Sequence, residues 1–209
     1  MLSIIDYGVG NLFSLSCSLN ALGEEVVLTD DPKTIRDSEK IILPGVGAFE
    51  DAAAKLRTTG LGELVCEEAK MGKPILGICL GMQLLLDASE EYGHHEGLGL
   101  IRGTNRPIRD VIPAEYKVPH MGWNALIFKG EKHPLFRYID EGECVYFVHS
   151  YAGFECDDSV IATAEYGPEL TAAIASGNVM GTQFHPEKSG DVGLRILRAF
   201  CEIKGDELC

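Results

Sequence analysis

Pro74-Ile75-Leu76-Gly77-Ile78-Cys79-Leu80-Gly81-Met82-Gln83 decides the fold. It reads as an apolar strand ending on a cysteine, with glycines two residues to either side and a helical pattern running from Met82 toward Leu86. A strand that turns tightly into a helix is the grammar of a parallel α/β sheet. A nucleophile placed on that turn is the elbow of an α/β hydrolase, here with cysteine in place of serine. Such a turn strains its central residue, so its neighbours must lack bulk, which Gly77 and Gly81 provide. The first N–H groups of the following helix favour thiolate over thiol. An inert cysteine buried at a strand end fits the same ten residues, so this stretch needs a base before it means chemistry.

Outward from the elbow, the first half of the chain alternates short apolar runs with helical patterns. Leu2 to Ile5, Glu25 to Leu28 and Lys40 to Leu43 read as strands, Leu12, Leu15, Leu19 and Leu22 mark one helical face, and Glu63 to Met71 is helical in composition. This predicts a central, mostly parallel sheet covered by helices on both faces. The second half is richer in β-type runs: Cys144 to Val148, Val160 to Ala164, Thr171 to Ala175 and Val179 to Phe184. Ile196, Leu197, Phe200 and Cys201 close the chain with the spacing of an amphipathic helix. No repeat or linker interrupts the pattern, so one mixed α/β domain over residues 1–209 is expected.

Composition removes several function classes. The 209 residues suit one domain with a substantial core, and 18 basic against 32 acidic residues give a net charge of −14. That balance disfavours a nucleic-acid backbone or an anionic membrane surface as the main partner. No apolar run approaches the length of a membrane span and no basic region precedes the first apolar stretch, so a cytoplasmic location is expected. Seven cysteines, at 17, 66, 79, 144, 156, 201 and 209, include no Cys-x-x-Cys pair, so neither a zinc site nor a thioredoxin-type centre is expected.

The base is found at Gly181-Thr182-Gln183-Phe184-His185-Pro186-Glu187, where a histidine follows an apolar strand and a carboxylate stands two residues on. His185 can accept the Cys79 proton and return it to a departing amine while Glu187 fixes its tautomer. A tetrahedral intermediate needs two donors: the elbow offers the Leu80 N–H, and Pro44-Gly45-Val46-Gly47 is a second strand-end loop whose glycines permit close backbone approach. Standing alone that loop is equally an ordinary turn.

The Pro-Gly-rich loop, the Gly-x-Cys-x-Gly elbow and the His-Pro-Glu stretch, in this order and spanning most of the chain, resemble the class I, triad-type glutamine amidotransferases. The resemblance implies a flavodoxin-like fold, glutamine as substrate, and neither cofactor nor metal. It implies Cys79 as nucleophile, His185 as base and Glu187 as its orienter. It places the oxyanion donors at Leu80 and at Val46 or Gly47, the latter after the loop reorients in an activated complex. It assigns substrate holding to Gln83 and to the backbone of Ser150 and Tyr151. Further stretches (Asp6 to Leu12, His120 to Asn124 and Tyr146 to Tyr151) are similar to free-standing members of the family. Those members serve a separate (β/α)8-barrel cyclase subunit of histidine biosynthesis as a heterodimer. On that likeness Asn11 and Trp123 face the partner, although a lone tryptophan is as readily core packing.

Other readings stay open at this point. They are a glutaminase serving another synthase, a partner-independent cysteine hydrolase of the same α/β type, and a scaffold that keeps the fold without the chemistry. His94-His95 reads as a solvated loop. His120 and His149 read as structural or functional with equal ease, because neither has a recognisable partner in the sequence.

Overall fold

The computed structural model describes residues 1–204. The first half runs β1 (Leu2–Ile5), α1 (Leu12–Ala21), β2 (Val26–Thr29), α2 (Pro32–Asp37), β3 (Lys40–Gly45), α3 (Phe49–Thr59), α4 (Leu61–Lys70), β4 (Ile75–Cys79) and α5 (Leu80–Leu85). It continues through β5 (Leu86–Ser89), β6 (His95–Glu96), β7 (Ile101–Pro107), β8 (His120–Ala125) and β9 (Ile127–Phe128). The last part is β10 (Cys144–His149), β11 (Tyr151–Phe154), β12 (Val160–Glu165), β13 (Glu169–Ser176), β14 (Val179–Thr182) and α6 (Gly190–Glu202).

Eight strands form the main sheet in the order β2-β1-β3-β4-β14-β13-β12-β9. Pairing is parallel from β2 through β14 and antiparallel beyond it, the mixed sheet expected from the alternation of elements. Alternate strand residues point to opposite faces, and each face buries its own cluster. On one, Ile4, Ile42 and Ile78 pack with Leu15 and Leu19 of α1 and Ile196 and Phe200 of α6. On the other, Ile5, Ile41 and Leu43 pack with Phe49 and Leu56 of α3 and Leu64 and Val65 of α4. The run of wholly buried residues in β4 is what a central parallel strand covered on both faces requires.

Three differences from the sequence reading bear on the site. The helix after the elbow is a six-residue turn whose chain re-enters a strand at Leu86, because Leu86 is drawn into a second sheet of order β11-β7-β5-β6. The segment holding His94-His95 is not simply solvated loop: His95 lies in β6, with Nε2 3.8 Å from Glu50. Strand β8, unseen as a strand from the sequence, pairs antiparallel with β10 as a separate two-stranded ribbon. Cys209 lies outside the described residues; the other six cysteines are free thiols.

Candidate active site

The site forms where parallel strands end. Gly45 and Cys79 are register partners at the ends of β3 and β4, and Thr182 of β14 pairs with Ile78 on the other side, so His185 arrives three residues later beside the sulfur. The carboxyl edge of a parallel sheet is where such folds gather loops without disturbing the ladder.

Cys79 has φ 55° and ψ −110°, a conformation that L-residues other than glycine seldom hold. The turn survives because the chain packs backbone against backbone around it. A Cβ on Gly81 would lie 1.8 Å from the Leu43 carbonyl oxygen, and one on Gly77 would lie 2.7 Å from the Gly81 backbone. The glycines are therefore demanded by contact, as the spacing had indicated.

His185 is buried, and its Nδ1 lies 2.9 Å from Glu187 Oε1. Burial pulls the imidazole toward neutrality, but hydrogen bonds to Cys79 and Glu187 and their charges outweigh it and raise its pKa to about 9. An imidazolium thus faces the sulfur near neutral pH. With α5 so short, this charge is the main electrostatic support beside Cys79. Asn11 Nδ2 donates to the same carboxylate oxygen at 3.4 Å, so Asn11 stands behind the triad as well as half-open to solvent.

Cys79, Leu80, Gln83, Val46, Gly47, Ser150, Tyr151 and His185 line one cavity of about 340 Å³. Every residue assigned to oxyanion or substrate binding from the sequence is there, and Glu187 sits behind His185. Val46 and Gly47 are exposed at the mouth, while the loop's root is fixed by the Tyr7 hydroxyl, which donates to Pro44 O at 2.7 Å. Burial, and after it the charge on Cys79, raises the Tyr7 phenol.

Sequence reasoning assigned no site role to five cavity residues: Glu91, Pro119, Val148, Lys188, and His149, which it left open between structure and function. It also missed Gln183, which is wholly buried behind the nucleophile. Gln183 Nε2 points at Cys79 Sγ at 3.8 Å, and its Oε1 accepts from Gln83 Nε2 at 3.0 Å. The signal was present, since a polar residue inside the apolar run Val179 to Phe184 needs a buried partner. Glu91 is held in place by the Phe49 N–H, which donates to it at 2.7 Å.

The β8/β10 ribbon is clasped to the triad loop. The His185 N–H donates to Tyr146 O at 3.0 Å, and the Tyr146 N–H donates to Ser189 Oγ at 3.0 Å. On the ribbon's other strand Trp123 is 55% exposed and Met121 60%, with the Trp123 ring edge-on to Tyr146. Trp123 is not core packing. No group of three or more His, Cys, Asp or Glu among the described residues is arranged to hold a metal ion.

A strained cysteine, a charged histidine and a carboxylate at the end of a parallel sheet define an α/β thiol amidohydrolase type of site. Residues 3–203 match the sequence profile of the family "Glutamine amidotransferase class-I", and the chain belongs to that family. Among its relatives, the "Imidazole glycerol phosphate synthase subunit HisH" of Geobacillus sp. (strain WCH70) is 52% identical over 206 residues, covering 97% of each chain. The protein of the same name from Sulfurimonas denitrificans is 49% identical, covering 98% of this chain and 99% of its own. A solved structure described as "Crystal structure of glutamine amidotransferase" superposes with a TM-score of 0.74 at 19% identity, covering 96% of this chain and 97% of that one, which establishes the shared fold.

Proposed function

We propose that this chain is the glutamine-hydrolysing subunit of an imidazole glycerol phosphate synthase, one amidotransferase domain over residues 1–209 that acts in the cytoplasm as a heterodimer with the (β/α)8-barrel cyclase subunit HisF. The observation that carries the reading is the convergence of Cys79 and His185 on one cavity, with Glu187 paired to His185 behind it, in a chain so similar to proteins of that name.

Cys79 Sγ attacks the side-chain amide carbon of glutamine, and the carbonyl oxygen takes up the displaced electron pair. The Leu80 N–H and a donor from Val46 or Gly47 stabilise that oxyanion. His185 protonates the amine as the C–N bond breaks, releasing ammonia and leaving a glutamyl thioester. Water then adds to the thioester with His185 as base, the C–S bond breaks, and glutamate departs. Glu187 holds the imidazole and balances its charge throughout. Gln83 and the Ser150-Tyr151 backbone hold the substrate, while Glu91 and Lys188 offer one charge of each sign to its α-ammonium and α-carboxylate. The cyclase uses the ammonia to form imidazole glycerol phosphate and an aminoimidazole-carboxamide ribotide. Asn11 and the exposed face around Trp123 meet the partner. Binding of the cyclase and its nucleotide turns the Val46-Gly47 peptide into donating position.

In the reconstituted complex, Cys79→Ala is expected to abolish glutamine-dependent turnover and to leave turnover on added ammonium salt intact. Surviving glutamine hydrolysis would remove Cys79 from the mechanism. Equal glutaminase rates with and without cyclase and nucleotide would remove the gated loop.

A further inference from the structure

His120 and His149 take no part in the chemistry above, yet both are buried, at 1% and 6% exposure, within reach of the cavity. They are register partners at one end of the β8/β10 ribbon. His120 Nδ1 lies 2.9 Å from His149 Nε2, and the His120 ring is stacked between Phe147 and Tyr166, with centroid distances of 4.9 and 4.0 Å. His149 Nδ1 lies 2.7 Å from the Tyr151 carbonyl oxygen, and His120 Nε2 lies 2.8 Å from Asn124 Oδ1. Tyr151 O and Asn124 Oδ1 both only accept, and the contact between the rings needs a proton as well, so the two N–H protons of neutral rings leave one of the three contacts without a hydrogen. The Tyr151 contact, the shortest of the three, takes one of them.

The need for that bond follows from where the chain changes sheets. His149 ends a strand of the ribbon, and Tyr151 begins β11, the edge strand of the second sheet. Ser150 O is held by the Ile108 N–H at 3.0 Å, while Tyr151 stands opposite Pro107. Antiparallel pairs alternate, so the N–H and C=O of Tyr151 point off the ladder, on the side where no strand lies. The carbonyl is pinned by two side chains instead, His149 Nδ1 and Gln83 Nε2 at 3.2 Å. The neighbouring Tyr151 N–H, which no ladder bond uses, belongs to a residue lining the catalytic cavity.

We propose that His149, backed by His120, is a positioning residue for the substrate: it fixes the Tyr151 peptide at the seam between the two sheets so that the Tyr151 N–H is aimed at the α-carboxylate of bound glutamine. This rests on the glutaminase reading, in which the Ser150-Tyr151 backbone holds the substrate. Loss of the pin frees the carbonyl to turn on its remaining bond to Gln83. Ground-state binding then weakens, while the distance from Cys79 to a bound amide carbon changes little.

The experiment measures glutamate release by the full chain with its cyclase partner. His149→Leu is expected to raise KM for glutamine about tenfold, with kcat changed less than about threefold. His149→Asn places an amide N–H where Nδ1 stands and is expected to remain within about threefold of the parent KM, whereas His149→Gln places it at the Nε2 position and is expected to behave like the leucine variant. A parent KM in His149→Leu overturns the proposal, as does an asparagine variant no better than the glutamine variant. If the leucine variant fails to fold, the asparagine-to-glutamine comparison decides alone. A parent protein that releases no glutamate at all defeats the glutaminase reading instead, so the two failures are distinct.

Discussion

His185 and His149 face the same cavity from the ends of neighbouring chain segments, and both are buried, yet their proton affinities diverge. Desolvation pushes each toward the neutral form. His185 meets a sulfur and the Glu187 carboxylate and rises to about 9, whereas His149 meets a carbonyl and a second imidazole and falls to about 3. Burial therefore does not determine a histidine's role; the charge of what it touches does. A histidine beside anions is equipped to move protons, and one among neutral dipoles is equipped to hold geometry.

The most severe way to break this contrast is to remove the groups that raise His185. Cys79→Ala deletes the sulfur that, together with Glu187, holds the His185 pKa up, and its imidazole should titrate at lower pH by NMR. Glutamine turnover should fall on the order of 10⁴-fold or more. Next comes Glu187→Gln, which keeps the shape and removes the charge. It should cost about 10²- to 10⁴-fold in kcat/KM. The parent activity should decline as pH rises through about 9, where His185 loses the proton owed to ammonia, and in Glu187→Gln that limb should move to lower pH. An unmoved limb would sever Glu187 from the base.

Stability should show the same divergence with opposite signs. His185, raised in the folded state, contributes stability that is complete below the unfolded value near 6.5 and is lost as pH climbs toward about 9. His149, lowered in the folded state, contributes above about 6.5 and loses its contribution as pH falls toward about 3, with His120 shifted the same way. Urea midpoints measured from pH 4 to 9 should therefore be greatest between the two windows. His149→Asn should flatten the acid slope and leave the alkaline slope unchanged.

The smallest effect on the isolated chain should come from Trp123→Ala. More than half of that side chain is open to solvent, so the urea midpoint should change by no more than about 0.5 kcal/mol in stability terms. Affinity for the cyclase, measured by titration calorimetry, should fall about tenfold. An intact affinity would take the ribbon face out of the interface.

The two histidines also differ in how far the sequence disclosed them. His185 could be read because its setting is local: an apolar strand precedes it and Glu187 stands two residues on. Cys79 could be read for the same reason, since its glycines lie within two residues. The partner of His149 lies 29 residues away on a six-residue strand that carries a glycine near its centre and little β-type patterning. Pairing of that kind leaves no periodic trace. The six-residue α5 misled for a related cause, because Met82 to Leu86 has a helical composition while Leu86 is claimed by strand pairing with Ile101 of β7. Gln183 was overlooked because only the fold reveals that Gln83 and Cys79 are its neighbours.

Because Gly81 meets the Leu43 carbonyl with no room for even a methyl group, position 81 should fail in a mutational scan that selects for folding alone, with catalysis irrelevant to the outcome. Invariance there would record a crossing of two backbones. The elbow would thus persist in a lineage that had given up glutamine altogether, and its glycine would outlast its cysteine.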